Sequence, residues 1–189
     1  MAFWSTPLQS ADPKRSHRFT LSITGLDGES IIWYAKSVQR PSFEVSAAEH
    51  KYLNHTFYFP GSVTWNAISA TVVDPSDPDA AKLLHGVVEA AGYGPPQSRD
   101  DLTTISKNKS INALGDVIIK MYDSGPDAGA GSGGATEIEK WTLKNAFITS
   151  VNPSELSYDN DELSTIEISF RYDWAECETR DGTVVFDGP

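Results

Sequence analysis

Carboxylates, histidines and one cysteine are the residues that could support chemistry, and the first group to consider is a cluster of aspartates. Asp74, Asp77 and Asp79 are spaced somewhat like the ligands of a calcium loop. Pro75 and Pro78 interrupt that spacing, however, and no glycine and terminal glutamate follow in register. An aspartate that caps a helix, followed by proline at the first helical position, explains the cluster better. The pattern therefore predicts a helix start and not a cation site.

The histidines and the glycine-rich stretch also lack the partners that a metal or phosphate site requires. No two histidines stand four residues apart on a helical segment, and no cysteine pair accompanies them, so a zinc site is not predicted. Gly129–Gly134 lacks the Lys-Ser/Thr pair of a phosphate loop and lies between strands instead of opening a helix. A hairpin tip accounts for this stretch better. The histidines are His17, His50, His55 and His85.

Cys177 is the one cysteine of the chain, and its neighbours make it a poor nucleophile. The negative charges of Glu176 and Glu178 are expected to raise the pKa of its thiol. A single cysteine cannot form an internal disulfide, which fits assembly in a reducing cytoplasm. A glycosidase-like pair of carboxylates stays open, although no two stand in a recognisable arrangement. We therefore predict neither an enzyme nor a cofactor.

The composition is typical of one packed globular domain. A chain of 189 residues can bury roughly 70% of its unfolded surface, and its 39% hydrophobic residues are sufficient for a core without disulfides. The longest apolar runs are too short to span a bilayer, and the first residues do not resemble a secretory signal. We predict a single domain over residues 1–189, with no membrane insertion.

The net charge of −11 is unevenly distributed along the chain. Residues 1–60 carry six Lys and Arg against five Asp and Glu, whereas residues 151–189 carry two against ten. An acidic surface repels the nucleic-acid backbone, so DNA binding through counterion release is disfavoured. Solubility alone would also explain an acidic excess.

Most of the chain has the period-two alternation of β-strands. In His17–Thr24 the apolar residues fall on odd positions, and Ile31–Val38 follows a glycine-containing turn, so the two segments are expected to form a hairpin. A helix is predicted from Pro78 to about Ala91, with Asp77 as its cap. These elements together predict a mainly antiparallel α+β or β-sandwich-like domain.

Three stretches lack a sustained period. Residues 92–115 are expected to form a long connection with room for a short turn of helix, and residues 124–135 a flexible hairpin tip. Residues 175–189 are expected to form an extension that is either a short edge strand or a segment that docks on a neighbour. None of the three predicts an activity.

The clearest strand runs from Leu163 to Trp174. Apolar and polar side chains alternate strictly there, which predicts one uninterrupted strand with a buried face and an exposed face. The exposed polar face consists of Thr165, Glu167, Ser169, Arg171 and Asp173.

The stretch from Trp141 to Trp174 resembles the C-terminal half of tail tube proteins from contractile phages of the T-even type. In that family a strand leads into a turn, an acidic Asn/Asp/Glu stretch follows, and a final alternating strand ends in Tyr-Asp/Trp. Ala35–Pro41 and Gly61–Asp74, the latter followed by a helix, match the family's order of elements. The resemblance covers roughly residues 16–92 and 114–174. It departs from the family in the long connection 92–115 and in the residues after Trp174.

This resemblance implies a fold and an assembly. The expected fold is mainly β, an antiparallel β-sandwich or barrel with one flanking α-helix. Six copies are expected to close into a ring, and the rings to stack into a hollow tube in the virion tail, assembled in the host cytoplasm. The implied partners are further copies of the chain, the sheath protein, the tape-measure protein, the baseplate and the tail-terminator protein. DNA is expected to pass through the lumen without specific binding.

Two sets of residues are candidates for roles in such a tube. The polar face of Leu163–Trp174 is a candidate lumen surface, because a negative wall would let DNA slide without sticking, although an ordinary solvent-facing sheet surface would look similar. The segment 43–60 is a candidate contact with the next ring, against the alternative of an ordinary hairpin within one subunit. Its candidate residues are Glu44, Glu49, His50, Lys51 and His55.

Other functions remain open at this level. The tube of a related injection machine, such as a tailocin or a type VI secretion system, would share the fold and assembly but pass protein or ions. A carbohydrate-binding β-sandwich would use exposed aromatic side chains such as Trp4, Trp33 or Tyr93, and it would be a monomer that binds glycans.

Overall fold

The computed structural model describes residues 14–26, 35–75, 77, 79–96, 104–123, 137–159 and 161–188. Within these ranges the chain forms mostly β-strands, all paired antiparallel, and two α-helices. The prediction of a mainly β antiparallel fold is confirmed. In chain order the elements are β1 (Phe19–Ile23), β2 (Ala35–Val38), β3 (Phe43–Tyr52), β4 (His55–Trp65), β5 (Ile68–Val73), α1 (Ala80–Ala90), α2 (Lys107–Leu114), β6 (Val117–Tyr122), β7 (Glu137–Lys144), β8 (Phe147–Pro153), β9 (Thr165–Arg171), β10 (Trp174–Thr179) and β11 (Val184–Val185).

The strands form three sheets. A five-stranded sheet has the order β1-β6-β7-β10-β11, and a four-stranded sheet has the order β2-β5-β9-β8. The third sheet contains β3 and β4 alone, and we call it the hairpin (residues 43–65). Strands from the two larger sheets share one core, whereas the hairpin leaves it.

The core contains side chains of both larger sheets and of both helices. Leu21 and Ile119 of the five-stranded sheet, Phe170 of the four-stranded sheet, Leu84 of α1 and Leu114 of α2 are each at most 1% exposed. All five belong to one cluster of buried side chains. Burial of this kind stabilises the fold by about 25 cal/mol for each Å² of apolar surface removed from water.

The strand predicted over His17–Thr24 is present, but its predicted partner is wrong. β1 pairs with β6, so that Leu21 lies opposite Ile119, and β2 pairs with β5 in the other sheet. A short 3-10 turn over Thr24–Leu26 follows β1, and the Thr24 amide donates to the Asp116 carbonyl (3.0 Å). The chain therefore turns toward the segment after α2, which a local turn signal cannot indicate.

The first helix matches its prediction except at the cap. α1 begins after Asp79, whose carboxylate accepts from the Lys82 amide (2.9 Å), so Asp79 and not Asp77 is the N-cap. Leu84 and Val87 are buried, and Gly92 follows the helix with φ of +105°. A glycine in this conformation is the usual residue after a helix end.

The strand predicted from Leu163 to Trp174 is interrupted. β9 ends at Arg171, Tyr172 and Asp173 form a corner, and β10 begins at Trp174 in the five-stranded sheet. The alternation in the sequence runs on to Trp174, but the buried positions shift by one residue at the corner, from Tyr172 to Ala175 and Cys177. Periodicity alone could therefore not reveal the change of sheet.

The segment after Trp174 contains most of β10 and all of β11, and the connection 92–115 contains α2. Residues 175–179 belong to β10, between β7 and β11, so only the residues after Thr179 extend beyond the main strands. The connection 92–115 contains α2, capped by the Ser106 hydroxyl, which accepts from the Lys109 amide (3.3 Å). The flexible connection predicted over residues 124–135 lies outside the described residues. The single-domain boundaries 1–189 stay a prediction.

Gly115 connects α2 to β6 through a close backbone contact, and its replacement should destabilise the fold. Its φ and ψ are +67° and −153°, a region that is essentially restricted to glycine, and occupying it costs a non-glycine residue on the order of 3 kcal/mol. A Cβ there would also lie 2.9 Å from the Gly25 amide nitrogen. We expect Gly115→Ala to lower the free energy of unfolding measured in urea.

Gly182 provides the matched control, because its φ is +72° and a Cβ there would meet nothing within 4 Å. Gly182→Ala should carry only conformational strain of about 1–2 kcal/mol. Equal losses for the two variants would contradict the role assigned to the Gly25 contact.

Candidate assembly surfaces

The hairpin is a long two-stranded ribbon with almost no cover. Every residue of β3 is exposed, and in β4 only Thr56 and Trp65 are partly buried. Its strands are 10 and 11 residues long, which corresponds to about 35 Å at the rise of an antiparallel strand. A two-stranded ribbon is marginally stable by itself in water. This ribbon is therefore expected to gain stability from a partner.

The hairpin exposes large apolar side chains near its turn. Tyr52 is 64% exposed, Leu53 88%, Tyr58 66% and Phe59 55%. Leu53 has φ of +52° and lies in the two-residue turn with Asn54. Clustered apolar exposure of this kind commonly marks an interaction surface.

All five residues predicted for contact with a next ring lie on this hairpin. His50, Lys51 and His55 lie in its outer part, where Lys51 is opposite Thr56, and the His55 ring packs edge-on against Phe57 at 4.6 Å. Glu49 precedes them on β3, and Glu44 lies near the root, where it accepts from Asn66 Nδ2 (3.4 Å). The mixture of charged and aromatic residues in the segment suggested the contact, but the exposed apolar side chains on both sides of Leu53-Asn54 were not among the five predicted residues.

An aromatic cluster fixes the root of the hairpin to the body. Phe43 and Trp65, the first and last residues of the hairpin, lie opposite each other with ring centroids 5.2 Å apart. Phe186 packs on both rings at 5.4 Å, and Trp65 also packs on Tyr172 at 5.9 Å. The segment after β11 therefore helps to hold the hairpin in place, and Phe186 was not among the predicted residues.

A bulge interrupts the hairpin above this root. The register shifts between Val45 and Ala47, and the Ser46 hydroxyl lies 3.3 Å from both the hydroxyl and the carbonyl of Ser62. A Cβ on Gly61 would lie 2.4 Å from Ser46 Oγ. Bulges bend a strand and increase its local twist.

The four-stranded sheet has one buried face and one polar face. Its central strands β5 and β9 pair so that Ser69 lies opposite Ser169 and Thr71 opposite Glu167. The residues between these positions are buried in the core. Asn152 of β8 lies opposite Glu167 on the other side. The polar face is therefore made mainly of small hydroxyl and amide side chains.

The five residues predicted for a lumen surface do not all lie on this face, and their charges largely cancel. Thr165, Glu167, Ser169 and Arg171 alternate with buried residues along β9. Asp173 lies beyond the strand, in the corner. Arg171 and Glu167 carry opposite charges, so the net charge of the face along β9 is small, and its assignment to a lumen stays a prediction.

The negative charge of Asp173 is compensated by local contacts. Its carboxylate accepts from Lys107 Nζ at 2.7 and 2.8 Å and from Asn145 Nδ2 at 2.8 Å. The hydrogen bond from Lys107 lowers the pKa of the Asp173 carboxyl. Asp173 therefore connects α2 and the turn before β8 to the corner between the sheets.

A buried carboxylate lies at one end of the five-stranded sheet. Glu139 is 6% exposed and bonds to Lys14 Nζ and Trp141 Nε1, and Arg40 Nη1 lies 3.7 Å from its Oε1. Burial alone would raise the pKa of this carboxyl, but the hydrogen bonds from Lys14 and Trp141 outweigh burial and lower the pKa. The cluster connects the start of the described chain and the segment before the hairpin to β7.

The Glu139 carboxylate should make the free energy of unfolding depend on pH in the acid range. Because the folded pKa of Glu139 is lowered, its contribution is present above the unfolded value of about 4.3 and is lost as pH falls through the folded pKa. We expect the free energy of unfolding to decrease more steeply below that pH in the wild type than in Glu139→Gln. Chemical unfolding at a series of acid pH values measures this slope.

Asp173→Asn is a useful comparison, because the pKa of Asp173 is also lowered but its carboxylate is far more exposed. Its effect on the slope should be smaller, since exposed ion pairs are weakened by solvent screening. A Glu139→Gln profile parallel to that of the wild type would exclude this role for the cluster.

The pKa of the Cys177 thiol is raised, as predicted, but the main cause is burial and not the charge of the flanking glutamates. Burial raises the pKa of its thiol, and the nearby charge of Glu139 adds to the rise. Glu176 and Glu178, which flank it, point to the other face of β10 and bond to Lys144 (3.0 Å) and Lys140 (2.9 Å).

Features that suggest chemistry are few in the described ranges. A cleft of about 570 Å³ lies between the hairpin root and α2, and its lining includes Trp65, Ile105, Lys107 and Phe147. Among the described residues no three His, Cys, Asp or Glu side chains are grouped as metal ligands would be. In the same part of the chain no helix has the length and apolar character needed to cross a lipid bilayer.

No family model and no curated protein matches the chain, but solved structures do. A chain of the tube-terminating cap of the anti-feeding prophage has a TM-score of 0.61 at 16% identity, with 95% of this chain and 99% of that chain covered. A chain of the sheath/tube terminator of the extracellular contractile injection system PVC has a TM-score of 0.61 at 17% identity, covering 90% and 99%. A chain of the PVC sheath-tube complex has a TM-score of 0.57 at 16% identity, covering 93% and 99%.

These similarities confirm the predicted fold. At such low identity they show a shared fold and not a shared function. The fold of this chain is that of chains found in the tube, terminator and cap assemblies of contractile injection systems.

Proposed function

We propose that the chain is a structural subunit of the tube of a contractile-tailed phage, in which hexameric rings stack into a conduit for DNA. The observation that carries the proposal is the four-stranded sheet, which among the described residues has two edge strands without a further partner and a polar outer face. The fold shared with chains of contractile injection particles supports it. A structural role also agrees with the lack of a recognisable catalytic arrangement in the sequence.

The open edges of this sheet suit closure into a ring. β2 and β8 are its edge strands, and three antiparallel pairings separate them, so β2 and β8 run in opposite directions. Copies related by rotation about a ring axis can therefore pair β8 of one copy with β2 of the next in the antiparallel sense. Exposed edges favour such pairing, and a closed ring leaves none of them open.

In such a ring the polar face of the sheet would line the lumen. Hydroxyl and amide side chains with nearly balanced charge offer DNA neither strong attraction nor strong repulsion. Passage without sticking would then result from the scarcity of cations and not from a negative wall. Thr165, Glu167, Ser169 and Arg171 are the β9 residues proposed for this surface, and Asp173 is proposed for its rim.

The hairpin would connect one ring to the next. It exposes both apolar and charged side chains, and its root is fixed to the body by the aromatic cluster. The further partners of such a tube are the sheath, the tape-measure protein, the baseplate and the tail terminator. The proposed location is the virion tail, after assembly in the host cytoplasm.

Negative-stain microscopy of the purified protein tests this function. We expect sixfold rings or tubes, and light scattering that reports a large particle. A uniform monomer at high protein concentration would overturn the proposal and favour a monomeric binding domain, such as a carbohydrate-binding sandwich.

Reversal of charge at Glu167 tests the lumen assignment. Glu167 is exposed at the centre of the polar face, and Glu167→Lys would add a cation to each subunit of the wall, which attracts phosphate groups. We expect tubes of normal appearance and slower DNA ejection from virions that carry the variant. Ejection at the normal rate would remove Glu167 from the lumen.

Asp173→Lys is not equivalent to that variant, although both residues were predicted for the same surface. It would place a second cation beside Lys107, whose Nζ now donates to the Asp173 carboxylate. A loss of tubes with Asp173→Lys would therefore report on the corner and not on the lumen.

A second candidate function is the tube of a related injection machine such as a tailocin or type VI secretion system. It is favoured by the similar structures, which come from injection particles. Such a tube would form the same rings but would carry protein or ions. Detection of DNA inside intact particles, as nuclease-protected material, would decide between the two.

A further inference from the structure

The hairpin and the loop between β8 and β9 lie at opposite ends of the four-stranded sheet. β5 follows the hairpin directly, and its first residue, Ile68, pairs with Phe170 near the end of β9. Its last residue, Val73, pairs with Thr165, where the loop enters β9. β5 has six residues, so about 20 Å of strand separates the two ends. A stack of identical subunits would bring one end of each copy toward the other end of the next.

The end opposite the hairpin carries an acidic loop with exposed apolar side chains. We call residues 155–163 the acidic loop, since they include four acids and no Lys, Arg or His. Leu156 is 86% exposed, Leu163 74%, and Tyr158 is fully exposed. The acids are Glu155, Asp159, Asp161 and Glu162.

The acidic loop is held at its ends. The Ser154 amide donates to the Thr165 carbonyl (2.8 Å), and the Thr165 amide donates to Ser154 Oγ (3.1 Å). The Asp159 amide also donates to Ser157 Oγ (3.2 Å). A loop with fixed ends presents its side chains at a defined place, which lowers the entropic cost of binding a partner.

The outer part of the hairpin has the complementary composition. We call residues 50–58 the tip, since they include His50, Lys51 and His55 but no Asp or Glu. Tyr52 and Leu53 are among its most exposed apolar side chains. The tip and the acidic loop are both nine residues long, and each combines apolar anchors with charge of one sign.

We propose that the tip of one copy docks on the acidic loop of a copy in the adjoining ring. This inference rests on the proposed function, and it names the surface that receives the hairpin. Lys51 would pair with the carboxylates of Asp159 and Asp161, while Tyr52 and Leu53 would cover Leu156 and Tyr158. The two surfaces differ and lie at opposite ends of the four-stranded sheet. A stack held together by this docking therefore has free tips at one end and free acidic loops at the other, which is the open, heterologous type of assembly.

A charge exchange tests the pairing. We expect Lys51→Glu to yield rings without tubes, and Asp159→Lys with Asp161→Lys to do the same. All three substitutions in one chain should restore tubes, since opposite charges then face each other again. Lys82→Glu, at an exposed position of α1 outside both surfaces, is the matched control for Lys51→Glu and should leave tubes intact.

A disulfide between copies provides a second test that does not depend on charge. Leu53→Cys and Leu156→Cys in one chain should give a ladder of covalent multimers on a non-reducing gel after tubes are oxidised. Each single variant should give no ladder, because one new cysteine cannot link a copy to two neighbours, and Cys177 is buried.

The outcomes separate this inference from the proposed function. Rescue of tubes by the charge exchange, or a ladder from the double cysteine variant, would support docking of the tip on the acidic loop. Wild-type tubes together with neither rescue nor ladder would overturn that docking while the tube function stands. A wild-type protein that forms neither rings nor tubes would overturn the function itself.

Discussion

Shortening the hairpin should convert tubes into separate rings. Replacing Glu49–Tyr58 with Asn-Gly joins Ala48 to Phe59, which already lie opposite each other, through a two-residue turn that antiparallel strands favour. The variant keeps the root, the bulge and the whole core. It lacks the whole tip, so rings would lose the surface that we propose connects them. Electron microscopy and sedimentation measure the loss of tubes.

The symmetric design is preferable to removal of residues 46–54. That one-sided deletion takes most of β3 and leaves β4 without a partner, so a defect could result from misfolding alone. Thermal unfolding of the shortened variant is the control, and its Tm should remain close to that of the wild-type subunit. Long tubes from a well-folded shortened variant would contradict the role of the hairpin.

Two phenylalanines on strands should give opposite phenotypes when each is replaced by alanine. Phe170 is fully buried opposite Ile68, whereas Phe59 is 55% exposed on the hairpin. Removing a buried phenylalanine typically costs about 3–5 kcal/mol through lost transfer energy and the cavity that remains. In a chain of this size we expect Phe170→Ala to lower Tm by on the order of 10 °C.

Phe59→Ala should instead leave subunit stability within about 0.5 kcal/mol and weaken tube formation. Urea unfolding at protein concentrations too low for tube formation measures the free energy of unfolding of the isolated subunit, without a contribution from assembly. If Phe59→Ala destabilised the isolated subunit as much as Phe170→Ala, the hairpin would belong to the folded core and could not be a free docking element.

The alternating strands were predictable because their burial is decided locally. Leu21 and Ile23 of β1, and Ile166, Ile168 and Phe170 of β9, face the core at every second position. Partners were not predictable in the same way. β1 pairs with β6, almost a hundred residues later, and no local signal specifies which apolar strand it joins.

The two proposed surfaces differ in how well the sequence indicated them. The polar face of β9 followed from alternation, but the binding of Asp173 by Lys107 depends on a corner and a helix that the pattern did not show. Both faces of the hairpin are exposed, so periodicity gave no prediction of its two strands.

In the folded chain, lysines compensate part of the acidic excess of the C-terminal residues. Glu176 and Glu178 bond to Lys144 and Lys140 across the β7–β10 pair. Counting charge along the chain cannot reveal this, because the compensating lysines lie more than thirty residues earlier. The excess that remains exposed includes the acidic loop at the end of the four-stranded sheet.

The bulge at Ser46 gives the hairpin a mechanical property. Below it, the aromatic root packs against the body; at the bulge the register of the two strands is interrupted; above it, the ribbon is exposed. The hairpin thus resembles an arm with a joint close to its attachment. A stack connected through such arms could bend, with each arm pivoting slightly while its far end stays bound, so that curvature is shared among many joints instead of opening a gap between two rings.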